Sequence, residues 1–417
     1  MRGLYNKATV YSVKAKCETP FRTGPAGDIL KDINGKPFIQ GSSIAGSMRS
    51  WFENVISDDK LAKELFESGR VIISEGIFDQ AGISEMIASR PRLRIDGATG
   101  SAANGAKFDV DGVTAGNSFS FRITVLHENG DELDNAVEEM LSAMNSGFIT
   151  LGGQKTNGYG RVLLTVNKKC FTMADEKDRS DWLEDRFEGS PLELKPGKSG
   201  DVLISVKGRF DNVLVKSGKD EYRDKKRVAV NISENGKKII PGSSVKGAVR
   251  SRVKMIAESL QPGEGSKVEN ELFGCAASGG TGVPGLVVFN DAVLESPKPC
   301  VATRIRINKF TGGVMNQALF TEESNAAAAE LKISAPDSKR VCAYLLLALR
   351  DLGAGLYGLG SGAGIGRGYI KNAEISMNFP CGSKLLMKFD SCGNCEITDD
   401  DKLAEQLLKE LEVKNNG

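Results

Sequence analysis

The chain has 417 residues, 55 Lys+Arg against 54 Asp+Glu, and a formal net charge of +1; 40% of it is hydrophobic and 26% charged. That length exceeds one typical core and predicts two or three domains. The balanced charge excludes a polybasic protein that holds nucleic acid by bulk charge, so any nucleic-acid site is a local basic surface. A single histidine, His127, excludes mechanisms and zinc sites that need two. With 48 glycines and only 6% aromatic residues, the backbone itself is expected to make many of the contacts. The 8 cysteines are dispersed, no apolar run has membrane-span length, and the first residues form no secretory apolar segment. A cytoplasmic protein with free thiols and no membrane partner is expected.

In chain order, alternation over 8–17 (ATVYSVKAKC) predicts a strand. An acidic loop with Asp28 and Asp32 follows. GSSIAGSMRS, from Gly41, opens a helix with Ser42 or Ser43 as its N-cap and Met48, Trp51 and Val55 on one face. RIDGATGSAANGAKF (94–108) reads as a long hairpin. SFSFRITV alternates through Phe119, Phe121, Ile123 and Val125 as a half-buried strand, and DELDNAVEEMLSAM reads as a helix. The glycine-rich loop LGGQKTNGYGRV (151–162) leads into a further strand, and a polar stretch over 176–199 reads as a linker.

The same order then returns. A strand over 202–210 precedes an acidic loop with Asp220 and Asp224. GSSVKGAVRS, from Gly242, opens a helix with Ser243 or Ser244 as its cap. RINKFTGGVMNQALF, a strand through Leu331 and Ile333, the helix KRVCAYLLLALRDL and the loop LGSGAGIGRGYI (359–370) complete it. Matches between the two passages keep their order with offsets of 201 to 212: Glu64-Leu65-Phe66 with Glu271-Leu272-Phe273, Arg94-Ile95 and Thr99 with Arg306-Ile307 and Thr311, Phe108 with Phe320. Gly158-Tyr159-Gly160-Arg161 pairs by sequence with Gly364-Ile365-Gly366-Arg367. The chain therefore reads as one domain twice, over 1–175 and 200–380, with a tail over 381–417 that ends in an amphipathic helix. Strands and helices in this order predict an α+β fold, each copy with a ferredoxin-like or RRM-like core.

A helix N-terminus presents unpaired N–H groups and a positive dipole, so the paired GSS segments suit phosphate. Arg49 recurs as Arg250, and Lys246, Arg252 and Lys254 share the second helix. GSSIAGSM and GSSVKGAV lack the Lys-Ser/Thr pair of a nucleotide-binding P-loop. The glycine loops follow a helix and precede a strand, the reverse of a dinucleotide-binding turn. Their glycines, Gly160 and Gly366, permit close approach of a ligand, with Arg161 and Arg367 as the charges. The hairpins either wedge between bases or pack on their own domain. The loop acids either hold a divalent cation or serve as turn residues. Cys392 and Cys395, with Cys381 nearby, form a lone CxxC and a weak zinc signal.

Taken together, these motifs resemble the RAMP superfamily, and within it the backbone subunits of type III CRISPR effector complexes. The residues that carry the resemblance are GKPFIQGSSIAGSMR (35–49) and GKKIIPGSSVKGAVR (236–250), ELFGCAASGGTGVPGLVVFNDAVL (271–294), the hairpins at 94–108 and 306–323, and the loops at 158–161 and 364–367. The resemblance implies two tandem domains, each with a thumb β-hairpin (Arg94, Ile95, Thr99 and Phe108; Arg306, Ile307, Thr311 and Phe320). It implies binding of a CRISPR guide RNA, a single-stranded target RNA and other effector subunits, with Ser42, Ser43, Arg49, Arg161, Gly160, Ser243, Ser244, Lys246, Arg250, Arg367 and Gly366 on RNA. It also implies cleavage of the target RNA by a loop aspartate, Asp28 or Asp224, with Mg2+ or Mn2+ held there. A purely structural guide-binding subunit and a guide-processing ribonuclease are the competing readings. Ala45 stands where the family has the lysine seen at Lys246, which implies a weaker grip on RNA in the first copy.

Overall fold

A computed structural model of the chain describes residues 5–24, 29–79, 86–95, 102–128, 133–218, 220–223, 226–275 and 282–412. Its contacts divide it into two compact units. The first comprises 1–90, 109–155 and 159–200; the second comprises 91–108, 156–158 and 201–417.

The sheet of the first unit is centred on β1 (Lys7–Cys17). Antiparallel neighbours flank it, β5 (Ser118–His127) and β6 (Val162–Thr172). Helices α1 (Gly41–Val55) and α2 (Asp59–Phe66) lead to β2 (Val71–Ile73), which pairs with the far edge of β5. Helix α3 (Leu133–Asn145) connects β5 to β6. Each strand–helix–strand crossover thus leaves one antiparallel strand between its two parallel ends, the split βαβ arrangement of a ferredoxin-like fold. Period-two burial drives it: Phe119, Phe121, Ile123 and Val125 are all buried, and Ile44, Met48 and Phe52 of α1 pack into the same core. A hairpin of β3 (Ile87–Ile95) and β4 (Ala102–Val113) is inserted before β5.

The second unit repeats this plan around β8 (Asp201–Val213). Two short strands, β9 (Glu221–Arg223) and β10 (Lys226–Ala229), form a hairpin in its acidic loop. Helices α5 (Gly242–Leu260) and α6 (Gly265–Phe273) precede β11 (Val288–Phe289). The thumb strands are β12 (Glu295–Ile307) and the 23-residue β13 (Val314–Pro336), whose second half lies against β8. Helix α7 (Lys339–Gly353) is almost entirely buried, consistent with its run of leucines. Strand β14 (Tyr369–Asn378) pairs with the other side of β8. No described helix is long and apolar enough to cross a membrane.

Four local expectations change. The stretch 176–199 is not a bare linker: α4 (Glu176–Leu183) and β7 (Ser190–Leu192) belong to the first unit, and β7 pairs with β6. Trp182 and Phe187 pack on Phe171, which supplies the apolar contact that anchors this polar segment. The tail adds β15 (Lys384–Phe389), β16 (Cys395–Asp399) and α8 (Leu403–Lys409) to the second unit, with Leu407 wholly buried. Neither serine pair caps its helix. The N-caps are Gln40 and Pro241, whose carbonyls accept from the Ser43 and Ser244 N–H groups, so the serines lie in the first turn.

The fourth change is the register of the glycine loops. Leu151 N–H donates to the Gly160 carbonyl, and Leu359 N–H to the Gly368 carbonyl. A Cβ on Gly160 would lie 1.9 Å from the Leu151 oxygen, and one on Gly368 would lie 1.9 Å from the Leu359 oxygen. Gly160 therefore corresponds to Gly368, not Gly366. Arg161 corresponds to Tyr369, and Arg367 to Tyr159.

Candidate nucleic-acid interface

Both GSS helices begin against a strand end that only glycine can approach. A Cβ on Gly41 would sit 2.2 Å from the Ile73 carbonyl oxygen, and one on Gly242 2.0 Å from that of Phe289. In the second unit the Asp291 carboxylate accepts from the Gly242 N–H at 2.7 Å, a cap delivered from 49 residues away. It takes over the role expected of Ser243 or Ser244. Ser42 and Ser43 are exposed, and Ser243 and Ser244 are half-buried.

Carboxylates sort the basic side chains of these helices. Arg49 bonds Glu53 at 2.7 Å and Glu67 at 2.8 Å. Arg250 bonds Glu269 at 2.6 Å, Lys254 bonds the same carboxylate at 2.9 Å, and Arg252 reaches the buried Asp351 at 2.6 Å. The arginine shared by the two copies thus joins its helix to an acid at or next to the following helix. Among the described residues Lys246 has no such carboxylate; its ammonium donates to Thr156 Oγ1 at 3.0 Å, also within the second unit. Burial, with repulsion from Arg250, pushes its pKa down to about 8.

In the first unit a cleft of about 490 Å³ runs between the α1 N-terminus and the glycine loop, lined in part by Thr23, Ser43, Ser47, Gly152 and Lys155. The Lys155 ammonium donates to Ser47 Oγ at 2.8 Å, and burial holds its pKa below the usual lysine value.

The two loop arginines are engaged within the protein. Arg161 pairs with Glu18 at 3.2 Å. Arg367 is buried and pairs with Glu322 at 2.8 Å. Glu322 also takes Lys216 at 2.7 Å, while its neighbour Glu323 holds Lys238 and Arg223. This buried cluster lies on β13 at the base of the second thumb and ties the acidic loop to it, since Arg223 is the last residue of β9.

Beyond that base, β12 and β13 continue as a hairpin. Ile307 pairs with Val314 at its tip, and the Asn308 side chain accepts from the N–H groups of Phe310 and Thr311. Ile307, Phe310 and Leu319 are exposed, Phe310 by 87%; Arg306 and Thr311 are exposed and Phe320 is 43% exposed. In the first thumb Phe108 is 55% exposed. Arg94 and Ile95 lie in β3, and Thr99 lies outside the described residues.

Asp28 and Asp224, the proposed catalytic and metal-binding acids, also lie outside the described residues. Their neighbours are turn-formers. Asp32 accepts from the N–H groups of Asn34 and Lys36, closing a tight turn, and Asp220 pairs with Arg227. Among the described residues no three His, Cys, Asp or Glu side chains come together as a metal site. Cys381, Cys392 and Cys395 are exposed free thiols. Sequence reasoning missed Thr23, Lys155, Asp291 and the Glu322–Glu323 pair. Only the Asp-Ala step that ends the VVFNDA strand hinted at one of them.

Two ferredoxin-like domains, each with an inserted hairpin and a glycine loop, define a duplicated α+β protein. The RAMP superfamily model matches residues 14–163 and 213–371, once per copy, and the chain belongs to that superfamily. The superfamily includes CRISPR-associated RNA-binding proteins. The search of curated proteins finds no match.

Proposed function

We propose that the protein is a backbone subunit of a type III CRISPR effector complex, with each copy holding part of a guide RNA and a loop aspartate cleaving the paired target. One observation carries the binding part. Lys155 and Lys246 each bond a hydroxyl, of Ser47 and of Thr156, beside the opening turns of a GSS helix, and among the described residues no carboxylate pairs with either ammonium. Such a site grips the backbone of RNA of any sequence through charge and N–H groups. The thumb, with its exposed apolar tip, is suited to separate stacked bases. Guide RNA, single-stranded target RNA and other effector subunits are the partners this assigns.

The nuclease part rests on Asp28 and Asp224. The 2′-hydroxyl beside a displaced nucleotide attacks the adjacent phosphorus, the P–O5′ bond breaks, and a 2′,3′-cyclic phosphate and a 5′-hydroxyl result. The aspartate orients the attacking hydroxyl for in-line displacement. Mg2+ or Mn2+ is the proposed cofactor and supplies charge at the phosphate.

The test is target cleavage by the guide-loaded complex, comparing wild type, Asp28→Ala and Asp224→Ala. Loss of one distinct cut per substitution, with guide binding retained, establishes two centres. Loss of a cut in one variant alone makes the other copy a spacer. Unchanged products in both variants remove the aspartate assignment and leave a structural guide-binding subunit. Cutting of precursor RNA without target identifies a processing enzyme instead.

A further inference from the structure

Two adjacent carboxylates at the base of the second thumb gather cations from three other elements. Glu322 and Glu323 lie on β13 and are 5% and 2% exposed. Glu322 pairs with Lys216 at 2.7 Å and Arg367 at 2.8 Å, which come from the start of the acidic loop and from the glycine loop. Glu323 takes Lys238, on the strand Lys237–Ile240 that runs into Gly242, and Arg223, on the hairpin of the acidic loop. Lys238 also donates to Asn325 Oδ1 at 3.0 Å. Burial works to raise the Glu323 pKa, but Lys238 and Arg223 outweigh it and hold the carboxyl below its ordinary value.

The first copy builds the same base with less charge. In the loop register, Gly153 corresponds to Ser361, and their N–H groups donate to the carbonyls of Arg22 and Leu214. Phe21 therefore corresponds to Val213, and their partners Val113 and Asn325 correspond in turn. Counting back, Val110 stands for Glu322 and Asp111 for Glu323, while Tyr159 stands for Arg367. Val110 and Tyr159 are both buried, so an aliphatic side chain and a ring close the position that an ion pair fills in the second copy. A buried ion cluster is often no more stabilising than apolar residues of similar volume; what it can add is one fixed arrangement of the groups it joins.

The acidic loop is the element in need of such a fixture. All three residues of β9 are exposed, Tyr222 by 77%, so apolar burial does not hold that strand in place. Its partner β10 joins the sheet through Val228–Thr321 and Ala229–Glu322. The Arg223–Glu323 pair adds a charged tether one residue before Asp224 in the sequence.

We propose that Glu323 is a positioning residue for the nuclease centre of the second copy, holding through Arg223 the loop that carries Asp224. The inference rests on the nuclease reading above and adds to it a residue that acts from the thumb base.

The experiment measures single-turnover cleavage of saturating target RNA by the guide-loaded complex, with target affinity and a thermal melt alongside. It compares wild type, Asp224→Ala, Glu323→Gln, Arg223→Met and the double variant Glu323→Gln/Arg223→Met. The cut lost in Asp224→Ala is the one to follow. Its rate constant should fall in both single variants by up to about a hundredfold, the scale of a misplacement of about 1 Å. Target affinity and the cut assigned to Asp28 should stay as in wild type. The double variant should cleave no more slowly than the slower single, because both substitutions break one tether. Losses that add in the double variant, or that strike both cuts together, make Glu323 a packing residue and overturn the inference. If Asp224→Ala removes a cut that both single variants retain at full rate, the nuclease reading stands and the positioning role is wrong. If Asp224→Ala removes no cut, the nuclease reading fails and takes this role with it. Should Glu323→Gln not assemble, Arg223→Met decides alone, since its side chain is 46% exposed: full-rate cleavage there overturns the inference.

Discussion

Arg367 and Glu322 form an ion pair at 2.8 Å in which both side chains are only 6% exposed. Tyr159 holds Arg367's place in the first copy, wholly buried, with the Arg90 guanidinium 5.4 Å from its ring centre. Two chemically different solutions therefore fill one position at the thumb base.

Removing one partner of a buried pair leaves the other uncompensated. Arg367→Met is expected to cost about 3 kcal/mol, the low end of the range because Lys216 still neutralises Glu322. Chemical denaturation reads it. Burial raises the Glu322 pKa, but Lys216 and Arg367 outweigh it and hold the carboxyl below its ordinary value. Its contribution is present above the unfolded carboxyl pKa and is lost as pH falls through the folded one. The acid-unfolding midpoint of Arg367→Met should accordingly lie at higher pH than that of wild type.

Lys246 makes the opposite prediction. Its ammonium costs stability below about pH 8, and that cost is relieved as pH rises from 8 toward the ordinary lysine value. A phosphate beside it raises its pKa, so RNA binding takes up a proton above pH 8. Affinity should fall as pH rises from 7 to 9.5 at fixed salt, and Lys246→Arg should flatten the profile. A flat wild-type profile would take Lys246 out of the RNA site.

Gly242 and Gly247 share one helix and should respond in opposite directions. Gly242→Ala drives a methyl against the Phe289 carbonyl and should destabilise the second unit by about 2–3 kcal/mol. At Gly247 a Cβ meets nothing within 4 Å, so Gly247→Ala should stabilise by up to about 1 kcal/mol. Urea midpoints distinguish the two.

Arg49 is paired with Glu53 and Glu67 at the surface. Arg49→Ala should leave the urea midpoint close to that of wild type and the salt slope of RNA binding where it was. A slope reduced by as much as in Lys246→Met would return Arg49 to the RNA site.

Phe310, 87% exposed at the thumb tip, can be truncated without disturbing the core. Phe310→Ser should leave stability within about 0.5 kcal/mol and guide binding intact, while target cleavage at the second copy falls. An unchanged cleavage rate would separate the thumb tip from base displacement.

The duplication and the ferredoxin-like order were legible because they rest on local patterns: alternation through Phe119–Val125, helical spacing after Gly41 and Gly242, and repeated words in order. What escaped was set by contacts distant in sequence. The cap on Gly242 comes from Asp291, so the adjacent serines mislead. The loop register depends on which glycine closes the hydrogen bond to Leu151 or Leu359, and GIGRG offers several phases. Arg49, Arg250 and Arg252 read as free charge until their carboxylates, up to 99 residues away, are placed. The tail strands were in principle readable from the alternation of Leu385, Met387 and Phe389, all buried.

In the glycine-loop register Lys155 lies opposite Ala363, as Ala45 lies opposite Lys246 on the GSS helices. This exchange of Ala45 and Lys155 for Lys246 and Ala363 bears on how the two halves of the gene can evolve. Recombination that carries the helix segment alone from one half to the other would put two ammonium groups in one domain, or none. Such a crossover would undo the pairing of Ala45 with Lys155 and of Lys246 with Ala363.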